Sequence, residues 1–113
     1  MQAFDYVAPS SVQEAVAVLA KHGAAARVLA GGTDIIIQAR EGRRDVAVMV
    51  DVKGIAETTQ LTHNSDGSLR IGAATPCARI YNDARIRQRF PALVDLASVI
   101  GSVQVQSRAS LGG

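Results

Sequence analysis

The feature that most constrains this chain is a pair of apolar segments separated by two glycines and one helix-length stretch. Residues 26–30 (ARVLA) are typical of a short buried strand, and residues 45–52 (DVAVMVDV) form a continuous apolar run of strand length. Between them, residues 33–40 (TDIIIQAR) follow the glycine pair at 31–32 and can form a helix with Thr33 as its cap. Continuous apolar runs indicate strands covered on both faces, as in parallel sheets. The order strand, glycine turn, helix, strand therefore predicts a parallel unit with a crossover helix.

The N-terminal segment adds a strand and a helix to this unit. Residues 4–7 can form a short strand. Residues 11–14 (SVQE) match the capping box, with Ser11 as the helix cap, and Gly23 is placed to end that helix. We therefore expect residues 1–55 to form a first lobe, a small parallel β-α-β unit with three strands and helices.

After residue 55 the pattern changes to that of an antiparallel sheet. Residues 60–75 contain an Asp66-Gly67 turn between two segments in which apolar residues alternate with polar or small ones. This alternation about a tight turn is the sequence signature of a β-hairpin. We expect residues 56–113 to begin a second, antiparallel lobe with helices, so the predicted fold class is α/β (α+β).

Helices are expected to follow the hairpin. Thr75-Pro76 is typical of a helix cap followed by the first helical residue, and Pro91 can start a further apolar helix. The last segment, residues 102–113, is expected to be extended. It ends on a second glycine pair.

Composition and charge limit the function classes. The formal net charge is +2 and the arginines are interleaved with acidic residues, so there is no basic stripe of the kind that binds nucleic acid. No apolar run is long enough for membrane insertion, and the N-terminus lacks the features of a secretion signal. Cys77 is the only cysteine, which precludes an internal disulfide and fits a reducing compartment, so a cytoplasmic location is expected.

The glycine pair at residues 31–32 is the main candidate binding feature. N–H groups in a glycine turn ahead of a helix can hold a phosphate, and glycine lets the main chain approach it closely. On this interpretation residues 30–34 form a main-chain cradle. On the glycine pair alone, a tight strand-to-helix turn without a ligand is the more common explanation of these residues. Neither the P-loop motif nor the G-x-G-x-x-G fingerprint is present.

Side-chain catalysis and metal binding have little support in the sequence. His22 and His63 lack a cysteine or carboxylate partner at metal-ligand spacing. Cys77 lies near a predicted helix start, which can lower the pKa of a thiol, but a small buried residue explains it as well. No Ser-His-Asp or Cys-His arrangement can be recognised. We therefore expect no catalytic side chain and no metal site in this chain.

Three stretches together resemble one protein family. They are VLAGGTDIIIQAR (residues 28–40), LRIGAATPCARI (69–80) and LASVIGSVQVQSRASLGG (96–113). With the N-terminal FDYVAPSS included, the whole chain is similar in order to the flavin-binding medium subunit, or flavin domain, of molybdenum hydroxylases. That family includes xanthine dehydrogenase, carbon monoxide dehydrogenase and nicotine or caffeine dehydrogenases. The resemblance implies a PCMH-type FAD-binding fold, of which this chain is an N-terminal fragment with a truncated second lobe.

The resemblance also implies an FAD site built on two glycine motifs. Residues 30–34 match the first motif, A-G-G-T-D, and residues 109–113 match the second, A-[ST]-[IVL]-G-G-N, whose Asn would be residue 114. Gln106 and Ser107 stand where Arg and Asn are common in the family. The implied cofactor-binding residues are Arg27, Val28, Leu29, Ala30, Gly31, Gly32, Thr33, Asp34, Thr75, Ile100, Gly101, Ser110, Leu111, Gly112 and Gly113.

The role implied by the resemblance is electron transfer in an oxidoreductase. In such a complex a large subunit with a molybdenum cofactor hydroxylates the substrate, and electrons pass through [2Fe-2S] clusters on a small subunit to FAD and then to an external acceptor. The implied partners are these two subunits in a hetero-oligomer, and the isolated fragment is expected to be inactive. Two alternatives stay open: a non-redox nucleotide-binding or assembly module on the same fold, and a flavin oxidase of a related FAD-binding fold.

Overall fold

The computed structural model describes residues 2–113, in which a sheet with two helices is followed by a hairpin and a group of short helices. The strands are β1 (Asp5–Val7), β2 (Ala26–Leu29), β3 (Val48–Asp51), β4 (Leu61–His63) and β5 (Leu69–Ile71). The helices are α1 (Val12–His22), α2 (Ile35–Arg40), α3 (Ala56–Thr59), α4 (Cys77–Tyr81), α5 (Ala84–Arg89), α6 (Pro91–Ser98) and α7 (Val103–Gln106). A 3-10 turn, Gly23–Ala25, leads from α1 into β2.

Three strands form a parallel sheet in the order β1-β3-β2, which confirms the predicted parallel lobe. The central strand is β3, and its Met49 lies between Tyr6 of β1 and Arg27 of β2. Every residue of β3 is buried, because successive side chains point to opposite faces and both faces are covered. The carboxyl ends of β2 and β3 lie side by side, so the first glycine turn starts beside the end of β3.

One helix covers each face of this sheet. On one face Ala15 of α1 packs with Val48 and Val50 of β3. On the other face Ile35 of α2 packs with Met49. The connection from β1 to β2 and the connection from β2 to β3 run in opposite directions across the sheet. Because such connections are right-handed, their helices lie on opposite faces.

The predicted antiparallel hairpin is confirmed by β4 and β5, in which Thr62 lies opposite Arg70. Gly67 in the connecting turn has a φ of 89°, a left-handed conformation that glycine adopts without strain. The inner side of the hairpin packs on the helices that follow. The buried members of this helical core are Cys77, Ile80, Ile86, Ala97 and Ala109.

The predicted cap of α2 is wrong. Asp34, not Thr33, occupies the N-cap position, and no side chain accepts a hydrogen bond from the first turn of the helix. The Asp34 carboxylate instead accepts a hydrogen bond from the Gln38 side chain, one turn later. Gly32 has a φ of 77°, which cannot be part of a right-handed helix, so the helix begins only at Ile35. The N–H groups ahead of α2 are therefore left without a side-chain cap.

The start of α4 also differs from the prediction. Pro76 has an extended backbone (φ −60°, ψ 141°) and occupies the N-cap position, so the first helical residue is Cys77. Thr75 is fully buried, and its hydroxyl donates to the carbonyl oxygen of Gln60 (3.0 Å) instead of capping the helix. Thr75 thus ties the start of α4 to the residue that precedes β4.

The last segment contains a helix and is not extended as predicted. Val103–Gln106 form α7, and the hydroxyl of Ser102 accepts a hydrogen bond from the N–H of Val105 (3.3 Å). The alternating sequence VQVQ favours a strand locally. However, the Gln106 side chain is buried, and its amide donates to the carbonyl oxygen of Ser98 at the end of α6 (2.8 Å). Tertiary contact with α6 therefore overrides the local pattern.

Replacing the N-cap of α5, as in Asp83→Ala, is expected to destabilise the chain by about 1 kcal/mol at neutral pH. The Asp83 carboxylate accepts a hydrogen bond from the N–H of the fully buried Ile86 (2.9 Å) and contacts Nε2 of His63 (3.2 Å). The hydrogen bond from Ile86, followed by the contact with His63, lowers the pKa of Asp83 below its ordinary value of 3.8. Denaturant unfolding of the variant and the wild type measures the difference in the free energy of unfolding.

The pH dependence of this difference has a definite sign. A carboxylate whose pKa is lowered by folding stabilises the fold above its unfolded pKa, and this contribution is lost as pH falls through the folded pKa. The difference between wild type and Asp83→Ala should therefore shrink as the pH falls from neutral through the lowered pKa of Asp83. Asp95→Ala, on the exposed side of α6, is the control and should leave stability almost unchanged. Equal stability of the two variants at neutral pH would contradict the capping role.

Candidate cofactor site

The first glycine turn, residues 30–34, leaves the carboxyl end of β2 and leads into α2. Ala30 is buried, and Gly32 has a left-handed φ of 77°. Within residues 2–113, the backbone N–H groups of residues 31–34 donate to no protein acceptor. Successive N–H groups on one turn form the main-chain donor set that typically holds an anionic group such as a phosphate.

The glycine at position 31 lies directly against the C-terminal segment of the chain. A Cβ on Gly31 would lie 2.0 Å from the carbonyl oxygen of Arg108 and 3.1 Å from the nitrogen of Ala109. Only glycine allows two main-chain segments to approach so closely. Gly31 therefore permits contact between the two motif-bearing segments, a role different from the phosphate approach that the sequence suggested.

The second glycine turn, residues 109–113, is held by the segment that precedes α4. The N–H of Gly112 donates to the carbonyl oxygen of Ala73 (3.0 Å), and a Cβ on Gly112 would lie 2.6 Å from the same oxygen. Ser110 forms an isolated antiparallel bridge with Pro76. Together with the contact at Gly31, these contacts bring three distant segments of the chain to one place.

The two glycine turns differ in the donors that they offer. In the second turn the N–H groups of Gly112 and Gly113 donate to the carbonyl oxygens of Ala73 and Ser110 (3.0 and 3.3 Å). The Ser110 hydroxyl in turn donates to the carbonyl oxygen of Gly113 (3.1 Å). In the second turn the N–H groups of Gly112 and Gly113 are thus used within the protein, whereas those of Ser110 and Leu111, like those of residues 31–34, have no protein partner in the described part of the chain.

The strand before the first turn carries three further candidate residues. Leu29 is buried, and Val28 is 48% exposed on β2, one of the two edge strands of the sheet. The Arg27 guanidinium donates from Nη1 to the carbonyl oxygen of Ala26 (3.2 Å). Its Nε is buried and has no protein partner among residues 2–113, which is rare for a buried polar atom. Arg27 therefore carries an unsatisfied donor on the strand that ends in the first turn.

The other candidate residues make contacts of a different kind. Ile100 packs on the helical core, and a Cβ on Gly101, whose φ is 58°, would lie 3.0 Å from Cγ1 of Val105. These contacts connect the loop after α6 with α7 rather than with the first glycine turn. Leu111 is 48% exposed within the second turn, and the Thr75 hydroxyl is already bonded to Gln60.

A network of side chains near the carboxyl ends of the three parallel strands is not among the residues predicted from the sequence. The ammonium group of Lys53 donates to the carbonyl oxygen of Ala30 (2.6 Å) and to Oδ1 of Asp51 (2.9 Å). The Tyr6 hydroxyl donates to the other carboxylate oxygen of Asp51. The available signal is the charged pair Asp51 and Lys53 directly after an apolar strand. Its partners could not be identified without the strand order, which places β3 between the other two strands.

The charges in this network stabilise one another. Burial raises the pKa of Asp51, but hydrogen bonds from Tyr6 and Lys53, and the charge of Lys53, together lower the pKa by more than burial raises it. The hydrogen bond to Asp51 is the main cause that raises the pKa of Tyr6 above its ordinary value of 10.0. At neutral pH the Asp51 side chain is therefore a carboxylate and the Tyr6 side chain a neutral phenol.

The remaining candidates for side-chain chemistry lie away from a reactive arrangement. Cys77 is fully buried, and burial raises the pKa of its thiol above the ordinary value of 9.0, opposite to the lowering that a helix start can cause. In the described part of the chain, no three His, Cys, Asp or Glu side chains are grouped as metal ligands would be. A helix with the length and apolar character needed to cross a bilayer is likewise absent from residues 2–113.

Comparison with known protein families gives a match along the described chain. A family model described as the FAD binding domain in molybdopterin dehydrogenase matches residues 2–113. The xanthine dehydrogenase FAD-binding subunit of Escherichia coli O157:H7 is 35% identical over 108 residues, which cover 96% of this chain and 37% of that protein. Caffeine dehydrogenase subunit beta of Pseudomonas sp. strain CBB1 is 29% identical over 111 residues, which cover 98% of this chain and 37% of that protein.

Solved structures give the same result. The structure of carbon monoxide dehydrogenase from Hydrogenophaga pseudoflava that lacks the Mo-pyranopterin moiety has a TM-score of 0.93 and 30% identity, covering 99% of this chain and 39% of the matched chain. Quinoline 2-oxidoreductase from Pseudomonas putida 86 has a TM-score of 0.91 and 28% identity, and the match covers 99% of this chain and 39% of the matched chain. The chain thus spans less than two fifths of the length of the relatives that it matches.

Proposed function

Because the chain belongs to the family of FAD-binding domains in molybdopterin dehydrogenases, we propose that it holds FAD within the flavin-binding subunit of a molybdenum-containing dehydrogenase. The observation that carries the proposal is the first glycine turn, where the N–H groups of residues 31–34 have no protein acceptor within residues 2–113. When bound, the isoalloxazine supplies the redox chemistry, which is electron transfer from iron–sulfur clusters to an external acceptor. The chain itself binds and orients the cofactor.

The main chain carries most of the proposed binding. The free N–H groups at residues 31–34 fit a pyrophosphate, because they are successive donors with no carboxylate bonded to them. The buried, unsatisfied Nε of Arg27 adds a charged donor on the preceding strand. The proposed cofactor-binding residues are Arg27, Val28, Leu29, Ala30, Gly31, Gly32, Thr33, Asp34, Thr75, Ile100, Gly101, Ser110, Leu111, Gly112 and Gly113.

The proposed site lies between two lobes, residues 1–55 and the beginning of a second lobe at 56–113. Separate apolar cores support this division: two lie on the faces of the parallel sheet, and a third lies among the hairpin and the short helices. We assign the remaining parts of the complex to a large molybdopterin-binding subunit and a small [2Fe-2S] subunit in the cytoplasm. The names of the relatives as an FAD-binding subunit and a subunit beta support a hetero-oligomer.

Titration of the purified 113-residue chain with FAD, followed by amide NMR signals, tests the proposal. We expect weak binding, with a dissociation constant above about 0.1 mM, because tight cofactor binding requires concave burial that an open turn does not give. The signals of residues 31–34 should shift with FAD and with ADP. Riboflavin lacks the pyrophosphate and should leave these signals unchanged. The chain alone should show no dehydrogenase activity.

The outcomes separate the competing functions. Shifts confined to the two glycine turns, with FAD and ADP but not riboflavin, support a pyrophosphate site. The absence of any shift at millimolar FAD would refute the proposal and favour an assembly module. Equal shifts with riboflavin would show that the first turn does not bind the pyrophosphate. Micromolar or tighter binding of FAD would show that the site is complete within these residues.

A further inference from the structure

We infer that Lys53 is a positioning residue that orients the Ala30–Gly31 peptide and thereby the first free N–H donor of the glycine turn. The inference rests on the proposed function for its meaning, since the turn is the proposed pyrophosphate site. Lys53 lies outside both glycine motifs and two residues beyond the end of β3. It belongs to none of the segments that suggested the site.

The ammonium group of Lys53 joins the ends of two strands. It donates to the carbonyl oxygen of Ala30, which follows β2 (2.6 Å), and to the carboxylate of Asp51, the last residue of β3 (2.9 Å). The Lys53 side chain is 31% exposed and that of Asp51 only 11%. The pair is therefore partly shielded from water, which makes its charge-assisted hydrogen bonds stronger than those of a surface pair.

The third strand restrains the carboxylate. The hydroxyl of Tyr6 in β1 donates to Asp51, and the backbone N–H of Lys53 donates to the same carboxylate (2.9 Å). Asp51 thus accepts hydrogen bonds from a neighbouring strand and from the residue that it holds. Lys53 has little freedom to leave Ala30, because its partner is fixed from two directions.

Peptide planarity transmits this restraint to the turn. In a trans peptide the C=O and the following N–H point in opposite directions, and the described chain contains no cis peptide bond. When Lys53 fixes the carbonyl of Ala30, it also fixes the N–H of Gly31, which points away from the ammonium group. Glycine tolerates other backbone angles, so without Lys53 this peptide loses the hydrogen bond that fixes its plane, although Gly31 still lies against Arg108. Loss of Lys53 would therefore leave the donor less well oriented, and a binding ligand would have to orient it.

The test compares three variants of the 113-residue chain: Lys53→Met, Lys53→Arg and Lys21→Met. Lys53→Met removes the ammonium group and keeps most of the apolar stem. Lys21 is exposed in the last turn of α1, so Lys21→Met removes the same charge without touching the turn. Amide NMR signals of residues 31–34 and titration with ADP are measured for each. The signal of Ile86 in the helical core reports whether each variant is folded.

We expect Lys53→Met to shift or broaden the signals of residues 31–34 and to weaken ADP binding about tenfold, as for the loss of a charge-assisted hydrogen bond. Lys53→Arg should restore most of the wild-type amide signals and of the ADP affinity. Lys21→Met should change neither the signals nor the affinity. If Lys53→Met does not fold, Lys53→Gln replaces it with the same expected result. Wild-type signals and wild-type ADP affinity in Lys53→Met would overturn the inference.

The same measurements separate this inference from the proposed function. A wild type that binds neither ADP nor FAD refutes the pyrophosphate site. Signals of residues 31–34 that move in Lys53→Met and return in Lys53→Arg support the role of Lys53 even then. Conversely, normal binding by wild type and by Lys53→Met refutes the role of Lys53 and leaves the proposed function intact.

Discussion

Replacing Gly31 with alanine is expected to destabilise the chain by about 3 kcal/mol and to abolish FAD binding. The new Cβ would lie 2.0 Å from the carbonyl oxygen of Arg108 and 2.5 Å from its carbon. These are main-chain atoms, so no side-chain rotation can relieve the overlap. The first turn and the C-terminal segment must therefore separate, and both glycine motifs lose the position that they share. Denaturant unfolding and FAD titration of the variant measure the two effects.

Gly54→Ala is the matched control for this substitution. A Cβ on Gly54 would lie 3.5 Å from the carbonyl oxygen of Pro9, an ordinary van der Waals contact, and its φ lies outside the left-handed region. Replacing glycine at such a position usually leaves stability unchanged or raises it slightly, because the unfolded chain loses freedom. Similar free energies of unfolding for Gly31→Ala and Gly54→Ala would contradict the close contact between the two segments.

Gly32→Val is expected to cost about 2 kcal/mol of stability and to remove most of the FAD binding. The φ of 77° at this position is unfavourable for any residue with a side chain and most unfavourable for a β-branched one. A Cβ would also lie 2.7 Å from Cδ1 of Ile36, a flexible side chain that can move. The backbone is therefore expected to leave the left-handed conformation, which changes the orientation of the N–H groups of the first turn.

Gly42→Val separates backbone strain from the loss of binding. Gly42 has a φ of 72°, close to that of Gly32, and nothing lies within 4 Å of a Cβ at this position. It follows α2, on the side away from the first turn. Both variants should lose similar stability, but FAD binding should fall only in Gly32→Val. Flavin binding at the wild-type level in correctly folded Gly32→Val would show that the turn is only structural.

Several elements could be predicted from the sequence because the local sequence pattern favours the same structure as the tertiary contacts. The apolar run that becomes β3 is buried on both faces, and the Asp66-Gly67 turn joins two strands that are each covered on one face. The cap at Ser11 is confirmed because its hydroxyl accepts a hydrogen bond from the N–H of Glu14 (3.2 Å), a contact within one turn of helix. Such features depend on residues that are close in the sequence.

The misjudged elements depend on contacts between distant residues. Thr75 follows the cap pattern, but its hydroxyl bonds to Gln60, fifteen positions earlier. Residues 103–106 alternate like a strand, but the buried amide of Gln106 bonds to the end of α6. Neither partner can be deduced from local periodicity, because it is set by how the helices pack after the hairpin.

The candidate site divides in the same way. The glycine motifs were identified from their resemblance to a family, and the phosphate-binding role of the free N–H groups at residues 31–34 stays a prediction. A glycine was expected at position 31 so that a phosphate could approach the main chain. In the structure, the carbonyl of Arg108, on a segment distant in sequence, occupies the space beside Gly31. Lys53 was missed since its partners, Ala30 and Asp51, meet only when β2 and β3 are paired.

The contact between Gly31 and Arg108 has a consequence for the order of folding. The two residues are about 80 positions apart, so closing this contact early would carry the entropy cost of a long loop. The parallel sheet and the helical core can each form from closer contacts, and sequence-distant contacts generally form late. The glycine turns should therefore meet in the last step of folding. In hydrogen exchange they should open more readily than either core, so the site is the least cooperative part of the native state.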